Sequence, residues 1–434
     1  MFRSLRYLVI ILGLALLVEP CMASDPGVVG VDAAKGGFSL AVMSDGSVWA
    51  WGNNHYGQVG VANAQAVYTP EKVAVSNVTV VSGGTLHAVA LKRDGSVWEW
   101  GHTNFYEDQS PGYDETLVTF PPVKVPLSGV MKVSAGDSFT LALCDNGSVW
   151  AWGSNYYGQL GDGTNKSSRL VRVKGLENVK DIHAGYGYSM ALDKDGRVWE
   201  WGRIYKGHEN NTYATPITSN ALTPVEVPIS NVTAISSGIF FSLALKDDGT
   251  VWAWGRNVDG QLGDGTTEDS LTPIMIPGLR DIVAISGGET ASMALKKDGT
   301  VWAWGYSIGS FGNVDTDAKE YLTPIQVSIS NVTAISFSGL HALALKDDDT
   351  LWAWGQNGNG EVGNSGDGAI VGYPVMVEIP KNQTGIIIDG QANNNTTMPA
   401  SNSSGLINPA PAKIFGLLVL AALIIGAIVV LKKK

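Results

Sequence analysis

The sequence has 434 residues, of which 44% are hydrophobic and 53 are glycine. This composition provides apolar material for a large core and many turns, and it excludes a wholly disordered chain. The 40 Asp and Glu outnumber the 29 Lys and Arg, for a formal net charge of −11. Nucleic-acid binding requires clustered positive charge, so the charge balance predicts no nucleic-acid partner.

The first 23 residues have the pattern of a secretory signal peptide. Arg3 and Arg6 form a charged start and Tyr7–Val18 is an apolar run, which Glu19-Pro20 ends before Cys-Met-Ala and a predicted cut after Ala23. A lipoprotein site at Cys21 is the weaker alternative. The pattern predicts that residues 24 onward are exported, with Cys144 as the one remaining cysteine, so no intrachain disulfide is expected.

A short segment after this signal recurs through most of the chain, and Ala294–Gly305 is a representative copy. Asp298-Gly299 favours a tight turn, because glycine adopts positive φ and aspartate tolerates it. After the turn, Trp302 and Trp304 alternate with small residues, which places both indoles on one face of a strand. The segment is therefore predicted to be a β-hairpin.

The hairpin occurs seven times, and its copies contain all 14 tryptophans of the protein. The first tryptophans of successive copies are 49 to 53 residues apart. A period of this size indicates a repeat architecture. The predicted core residues are Trp49, Trp51, Trp98, Trp100, Trp150, Trp152, Trp199, Trp201, Trp252, Trp254, Trp302, Trp304, Trp352 and Trp354.

Each repeat has four short strand patterns, predicted in the fifth repeat at Val232–Ser236, Phe241–Leu245, Val251–Gly255 and Pro273–Ile276. The first and last repeats are ordinary members, without the polar caps that an open stack requires. The sequence therefore predicts an all-β fold: a closed seven-bladed β-propeller of four-stranded blades over residues 24–380. The indoles are expected to pack between blades.

The motif D-G-[ST]-V-W-x-W-G, followed by N-x-x-G-Q-L-G-D-G-T as at Asn155–Thr164, resembles the regulator of chromosome condensation repeat. The resemblance covers about residues 27–380 and implies a seven-bladed propeller. The nuclear founder of the family is a guanine-nucleotide exchange factor for a small GTPase, and secreted prokaryotic relatives include a protein inhibitor of β-lactamase. With its signal and anchor segments, this chain resembles an exported, membrane-anchored member of prokaryotic type.

Blades two and four depart together from the shared pattern. Both have W-E-W instead of W-A-W, and both replace G-Q-L-G by irregular loops, at His102–Phe120 and Arg203–Leu222. Variable loops rich in aromatic residues on a rigid scaffold are typical of recognition surfaces. The alternative interpretation is drift, with each glutamate accepting hydrogen bonds from its own altered loop. The candidate partner-binding residues are Glu99, His102, Phe105, Tyr106, Tyr113, Glu200, Arg203, Tyr205, His208 and Tyr213.

The segment after the blades is predicted to join the propeller to a membrane. Residues 381–413 are rich in Asn, Ser, Thr and Pro and are expected to be a disordered tether. Residues 414–431 are apolar and long enough for one transmembrane helix, and the lysines at 432–434 favour a cytoplasmic C-terminus. A lipid-anchor signal is the alternative interpretation, although such tails usually end in apolar residues.

Glycosylation sequons are frequent, as expected if the chain is exported. Three copies of S-N-V-T lie at blade junctions, where asparagine also suits a turn. The candidate glycosylation sites are Asn77, Asn165, Asn210, Asn231, Asn331, Asn382, Asn394, Asn395 and Asn402.

Catalytic signatures are few. The six histidines lack metal-ligand spacing, no nucleophile elbow is present, and Asn313 to Asp317 matches a calcium loop only weakly. We expect no cofactor, no catalytic residue and no resident metal. The leading expectation is a single-pass cell-surface propeller that binds an extracellular protein or glycan. An exported hydrolase is the alternative, and a signal peptide disfavours exchange activity on a cytosolic GTPase.

Overall fold

A computed structural model describes residues 26–62, 65–102, 118–208, 216–313, 316–364 and 368–380. Within these ranges the chain forms 28 β-strands in seven antiparallel sheets of four. The predicted signal peptide (1–23), tether (381–413) and transmembrane segment (414–431) lie outside the described residues. Within the part of the chain that is described, no helix has the length and apolarity to cross a membrane.

Each sheet is one blade, and its strands pair in the order in which they occur along the chain. Blade one consists of β1 Val28–Ala34, β2 Phe38–Met43, β3 Val48–Asn53 and β4 Ala66–Lys72, and blade two of β5 Val78–Gly83, β6 His87–Lys92, β7 Val97–His102 and β8 Val118–Lys124. Blade three consists of β9 Val130–Ala135, β10 Phe139–Cys144, β11 Val149–Gly153 and β12 Ser168–Arg172. Blade four consists of β13 Val179–Ala184, β14 Tyr188–Asp193, β15 Val198–His208 and β16 Pro216–Val227.

Blades five to seven follow the same plan. Blade five consists of β17 Val232–Ser237, β18 Phe241–Lys246, β19 Val251–Gly255 and β20 Ser270–Met275. Blade six consists of β21 Ile282–Gly287, β22 Ala291–Lys296, β23 Val301–Ile308 and β24 Ala318–Gln326. Blade seven consists of β25 Val332–Phe337, β26 His341–Lys346, β27 Leu351–Gln356 and β28 Ile370–Val377. The all-β seven-bladed propeller predicted from the repeats is confirmed.

The hairpin between the second and third strand of a blade is fixed locally by its turn residues. In blade six, Asp298 Oδ1 accepts hydrogen bonds from the amide and the hydroxyl of Thr300, at 3.0 and 2.6 Å. Gly299 between them has φ +79°, in the left-handed region that a side chain disfavours. The Asp-Gly-Thr order therefore specifies the turn, as the sequence predicts.

The first strand of each blade lies at the centre of the ring, where it contacts the first strands of both neighbouring blades. A row of hydrogen bonds links these strands: a side-chain oxygen of one blade accepts the backbone amide of the next blade. We call this row the belt. Its six links are Gly83 N to Asp32 Oδ2, Ala135 N to Ser82 Oγ, Ala184 N to Ser134 Oγ, Gly287 N to Ser236 Oγ, Phe337 N to Ser286 Oγ and Ala33 N to Ser336 Oγ, at 2.6 to 3.1 Å.

The ring closes between blade seven and blade one without an exchanged strand, because every sheet contains only consecutive strands. Strand β1 packs against β25 and β26. The belt link from Ala33 to Ser336 crosses this seam, and the Ser336 hydroxyl also donates to Asp32 Oδ1 at 3.1 Å. Hydrogen bonds and packing therefore hold the first and last blades together.

The two tryptophans of each hairpin have different environments. The second is buried in every blade, whereas the first is partly exposed in six blades and buried only at Trp49. The indole N–H of Trp302 donates to Thr300 Oγ1 of its own turn, whereas that of Trp304 donates to the Gln261 carbonyl of the preceding blade. The first tryptophans also pack between blades, at the edge of the core: Trp49 belongs to a buried cluster, and five others are partly buried against clusters shared by adjacent blades, namely Trp150, Trp199, Trp252, Trp302 and Trp352. The second indole of each pair is the more deeply buried one.

Candidate functional site

The candidate site begins at the seams between blades, where the second tryptophan of one blade meets a loop of the preceding blade. In five seams its Nε1 donates to a backbone carbonyl at 2.8 to 3.0 Å. The pairs are Trp51 with Glu361, Trp100 with Gln58, Trp201 with Gln159, Trp304 with Gln261 and Trp354 with Ser310. These carbonyls belong to the G-Q-L-G loops and to the related loops in blades six and seven.

Blades two and four lack this loop, and their W-E-W glutamates supply the missing acceptor. Trp152 Nε1 lies 3.2 and 3.3 Å from the two carboxyl oxygens of Glu99. Trp254 Nε1 donates to Glu200 Oε1 at 3.1 Å. Each glutamate thus accepts from the next blade. The drift interpretation, in which each glutamate accepts from its own altered loop, stays a prediction, because 103–117 and 209–215 lie outside the described residues. Glu99 and Glu200 are 2% and 8% exposed, so both have a structural role in their seams.

The carboxyl of Glu99 is fully enclosed between blades two and three. Burial raises the pKa of Glu99 to about 8, and burial lowers the pKa of His87 to about 3. The two groups are 3.8 Å apart, but at neutral pH both are predominantly uncharged, so their contact is not an ion pair. His87 Nε2 instead shares a hydrogen bond with Thr140 Oγ1 at 2.9 Å.

Of the remaining blade-two candidates, the structure describes only His102. His102 is 3% exposed, and its ring meets that of Tyr56 edge-on at 6.1 Å. Phe105, Tyr106 and Tyr113 lie outside the described residues. No groove is therefore assigned to blade two.

Blade four has an extended hairpin where the sequence suggests an irregular loop. Strands β15 and β16 continue as paired strands from Val198 to His208 and from Pro216 to Val227. The expectation of a loop over Arg203–Leu222 is thus wrong for the described part of this segment. Only the tip, with candidate residue Tyr213 and sequon Asn210, lies outside the described residues.

The hairpin is held from the blade-five side by Asp269. Tyr205 Oη donates to Asp269 Oδ2 at 2.6 Å, and His208 Nδ1 lies 2.7 Å from the same oxygen. Burial and the neighbouring Asp269 raise the pKa of Tyr205, which therefore remains a donor. Tyr205 and His208 act as anchors of the hairpin, a role that the sequence did not suggest because Asp269 is 61 residues from His208.

The hairpin is held from the blade-three side by backbone contacts. The Leu222 carbonyl accepts the Gly163 amide at 2.9 Å. A Cβ added to Gly158 would lie 2.7 Å from Leu222 Cδ2, so this approach requires glycine. The extension of blade four is therefore fastened to both neighbouring blades.

Arg203 lies at the base of this hairpin. Its guanidinium carbon is 4.8 Å from the ring centre of Tyr157 and 4.6 Å from that of Phe240. Phe240 has φ +63°, a conformation that costs a bulky residue about 1–2 kcal/mol. The ring is therefore positioned at the expense of backbone strain, which is a feature of binding and active sites.

A cavity of about 150 Å³ opens between the hairpin and blade five. We call it the blade-four groove and define it by Glu200, Arg203, Val225, Phe240 and Leu271, all of which line it. Val225 and Leu271 are 53% and 57% exposed, so the mouth of the groove is apolar and open to solvent. Three of the predicted candidates, Glu200, Arg203 and Tyr205, therefore line one groove, together with apolar residues that the sequence did not single out.

The candidate glycosylation sites within the described residues are all exposed: Asn77, Asn165, Asn231 and Asn331. Asn77, Asn231 and Asn331 have φ values of 59° to 61° at equivalent blade junctions. Asn382, Asn394, Asn395 and Asn402 lie outside the described residues, and glycosylation stays a prediction.

Family models match most of this propeller. The model of the RCC1-like domain matches residues 106–397, and that of the regulator of chromosome condensation (RCC1) repeat matches residues 45–91.

Curated relatives are similar over part of the chain. The human E3 ubiquitin-protein ligase HERC2 is 27% identical over 58% of this chain and 4% of its own length. Protein pim1 of Schizosaccharomyces pombe is 27% identical over 55% of this chain and 39% of its own. The ultraviolet-B receptor UVR8 of Arabidopsis thaliana is 27% identical over 57% and 46%. The match thus spans less than half the length of each of these relatives.

Solved structures share the fold. Human WBSCR16 superposes with a TM-score of 0.65 at 21% identity, covering 77% of this chain and 94% of that chain. Yeast RCC1 (Prp20) bound to Kap60 gives 0.65 at 21% identity, covering 77% and 84%. Since the RCC1-like domain model alone matches more than half of the sequence, the chain belongs to the RCC1-like domain family.

Proposed function

We propose that this chain is an exported, membrane-anchored propeller that binds a protein or glycan partner through the blade-four groove. The observation that carries the proposal is the groove itself, an open apolar mouth beneath a hairpin whose strands of 11 and 12 residues are the longest among the described residues. Exposed apolar side chains around a cavity are typical of interaction sites. Yeast RCC1, which shares this fold, has been solved bound to Kap60.

Export and anchoring are proposed from the two terminal segments. The signal pattern at 1–23 and the apolar segment 414–431 would place the propeller outside the membrane, with a tether of roughly 30 Å reach between them. Antibody labelling of the propeller on intact cells, compared with permeabilised cells, tests this placement. Labelling that appears only after permeabilisation would overturn it.

Binding through the hairpin is tested by converting blade four into an ordinary blade. Residues 203–222 are replaced by a loop of the Asn155–Thr164 type, and Glu200→Ala is added because the new loop carbonyl can accept from Trp254. We expect the full-length variant to keep its thermal melt and to lose capture of its cell-surface partner.

The matched control is the same conversion in blade two, with the segment 102–120 replaced and Glu99→Ala added. We expect this variant to retain capture. Capture that survives the blade-four conversion, or that is lost equally in the blade-two conversion, would contradict the assignment of the groove.

A further inference from the structure

The two W-E-W glutamates occupy equivalent seams but differ in how much of their carboxyl group is used. Both oxygens of Glu99 lie within 3.3 Å of Trp152 Nε1, and the group is enclosed by His87 and Thr140. Glu200 uses Oε1 alone, which accepts from the Ser242 hydroxyl at 2.6 Å and from Trp254 Nε1 at 3.1 Å. Within the described residues, Glu200 Oε2 has no hydrogen-bond partner.

Glu200 lines the blade-four groove while 92% of its surface is covered. Glu200 Oε2 is not among the fully enclosed side-chain atoms that lack a partner, so it is accessible from the groove. An occupant that covers this oxygen has to supply a donor or a cation in place of water. In the equivalent seam of blade two, His87 and Thr140 lie beside the carboxyl, whereas in blade four a cavity of about 150 Å³ lies beside it. A cavity of this volume is large enough for a small organic group such as benzene, which is the scale of a single side chain.

The walls of the groove determine what kind of group can occupy it. Ile204, Val225, Phe240 and Leu271 provide apolar surface between the mouth and Glu200. An occupant that suits both features has an apolar stem and a positively charged end, as a lysine side chain does. The net charge of −11 also favours the approach of a basic surface.

Two cations lie nearby, and neither satisfies Glu200. The Arg203 guanidinium is stacked between Tyr157 and Phe240. Lys206 is exposed and acts on Glu200 only through its longer-range charge. Burial raises the pKa of Glu200 and so disfavours its charged form. Among the described residues no Lys or Arg forms an ion pair with this carboxyl, so an incoming cation that stabilises the charged form meets no competing ion pair.

We propose that the blade-four groove binds a lysine side chain of the partner, whose methylene chain packs on Ile204, Val225 and Leu271 and whose ammonium group pairs with Glu200. This inference rests on the proposed function, because it names the chemistry that the groove recognises. It restricts the partner to a protein that presents an exposed lysine.

The test uses three small probes with the same four-carbon chain: n-butylammonium, 1-butanol and butyrate. Each is titrated into the full-length chain, with the indole N–H resonance of Trp254 as the readout and Trp254→Phe to identify that resonance. We expect n-butylammonium to shift the resonance with an affinity at least tenfold higher than that of 1-butanol, and butyrate to give no saturable shift.

Variants assign the effect to the carboxyl. Glu200→Gln keeps an acceptor for Ser242 and Trp254 but removes the charge, so we expect the preference for the ammonium over the alcohol to disappear. Glu99→Gln is the matched control in the other seam and should leave the preference unchanged. Lys206→Gln removes the nearby positive charge and should tighten n-butylammonium binding about two- to fivefold.

Three results would overturn the inference: equal binding of 1-butanol and n-butylammonium, preferred binding of butyrate, or an undiminished preference in Glu200→Gln. They are distinguishable from failure of the proposed function. If hairpin conversion leaves partner capture intact while Glu200-dependent amine binding persists, the proposed function fails and the ammonium site stands. If capture depends on the hairpin but the amine does not bind, the lysine inference fails alone.

Discussion

At the seam between blades two and three, the carboxyl group that takes the place of a backbone carbonyl is close to neutral at pH 7. A carbonyl carries no net charge, whereas a buried carboxylate is strongly disfavoured. Burial raises the pKa of Glu99 to about 8, so at neutral pH its carboxyl oxygens accept hydrogen bonds much as the Gln58 carbonyl does in the neighbouring seam. The Glu that replaces Ala within W-x-W thus supplies the hydrogen-bond acceptor that the missing loop would otherwise provide to the tryptophan of the next blade.

This replacement makes stability depend on pH. The pKa of Glu99 is higher in the folded state than in the unfolded state, so its favourable contribution is complete below about pH 4.5 and is lost as pH rises through about 8. Each unit of pKa difference corresponds to about 1.4 kcal/mol. Because the folded-state pKa of the neighbouring His87 is depressed to about 3, that residue is predominantly neutral in both states above pH 6.5.

We therefore predict that Glu99→Gln flattens the fall in stability between pH 6.5 and 9. Chemical denaturation at several pH values measures the free energy of unfolding of wild type and variant, and their difference should change in favour of Gln by more than ~1 kcal/mol over this window. Glu99→Ala, which removes the acceptor for Trp152, should cost about 1–3 kcal/mol at pH 6.5. Parallel pH profiles for wild type and Glu99→Gln would show that the carboxyl does not titrate in the seam.

At the scale of the element, the blade junctions share one backbone conformation, although different residue types occupy the position. The residue before the first strand has positive φ at Asn77, Gly129, Asn178, Asn231, Asp281 and Asn331, with values of 55° to 68°. Asparagine, aspartate and glycine are the residues that adopt this conformation at least cost. The three S-N-V-T sequons thus have a structural reason that is independent of glycosylation.

We predict that Asn331→Ala destabilises unglycosylated protein by about 1 kcal/mol, whereas Asn331→Gly is within about 0.5 kcal/mol of wild type. The cause is the φ of +60° at this residue, which alanine disfavours and glycine accepts. Denaturant unfolding of protein made in a host that does not glycosylate gives both values. An equal loss in the glycine variant would mean that the Asn331 side chain, and not its backbone conformation, matters.

The elements differ in how well the sequence predicts them. Three of the four strands expected in blade five match within about one residue, because Asp248-Gly249 and the alternating tryptophans determine the hairpin locally. The blade-four extension was missed, since Pro216 and Pro224 with polar neighbours are typical of a loop, and the contact to Asp269 that fastens it comes from another blade. Long-range contacts of this kind leave no local signal.

The role of the glutamates was, in contrast, detectable in the sequence. Glu99 and Glu200 occur only in the two blades that lack a G-Q-L-G-type loop, so loss of one acceptor and gain of another coincide within a single chain. The sequence does not indicate which blade supplies the hydrogen-bond donor. In the structure the donors are the indole N–H groups of Trp152 and Trp254, which belong to the next blade. The free oxygen of Glu200 is likewise a consequence of tertiary packing.

At the scale of the whole molecule, the belt links six of the seven seams, and the exception is the seam of the blade-four groove. The belt position in blade four is His183, whose Nε2 is buried without a partner among the described residues, as is the Oγ of Ser237. Burial lowers the pKa of His183 well below its usual value, so the ring is neutral. The seam that carries the groove therefore lacks the belt link, and other groups of blade four donate across it: Lys180 Nζ to the Val232 carbonyl at 3.3 Å and Tyr188 Oη to the Phe241 carbonyl at 2.5 Å.

We predict that His183→Ser completes the belt by giving the Ser237 amide a hydroxyl acceptor, as Ser134 does for Ala184. The variant should be more stable than His183→Ala by about 1 kcal/mol, the typical net contribution of one hydrogen bond. Thermal unfolding of the two variants measures the difference, since both remove the same imidazole. Equal stabilities would show that no link forms at this seam.

Closure of the ring gives a last prediction, because one seam differs from the others in covalent connection. Blades three and four are joined by the chain between β12 and β13, whereas blades seven and one are held by contacts such as Trp51 Nε1 to the Glu361 carbonyl at 2.8 Å. Trp201 makes the same bond to the Gln159 carbonyl at 2.8 Å in the covalently joined seam. The two tryptophans thus make the same hydrogen bond, Trp201 at a seam joined by the chain and Trp51 at a seam held by contacts alone.

We expect Trp51→Phe to raise amide hydrogen exchange selectively in blades one and seven, because loss of this contact allows the ends of the ring to separate without unfolding the remaining blades. Trp201→Phe should lower the global stability by a comparable amount but leave exchange in its two blades close to that of the rest of the ring. Hydrogen exchange followed by mass spectrometry resolves the blades individually. Equal local opening in both variants would show that the connecting chain adds nothing to a seam, and that closure between blades seven and one is as secure as any other contact in the ring.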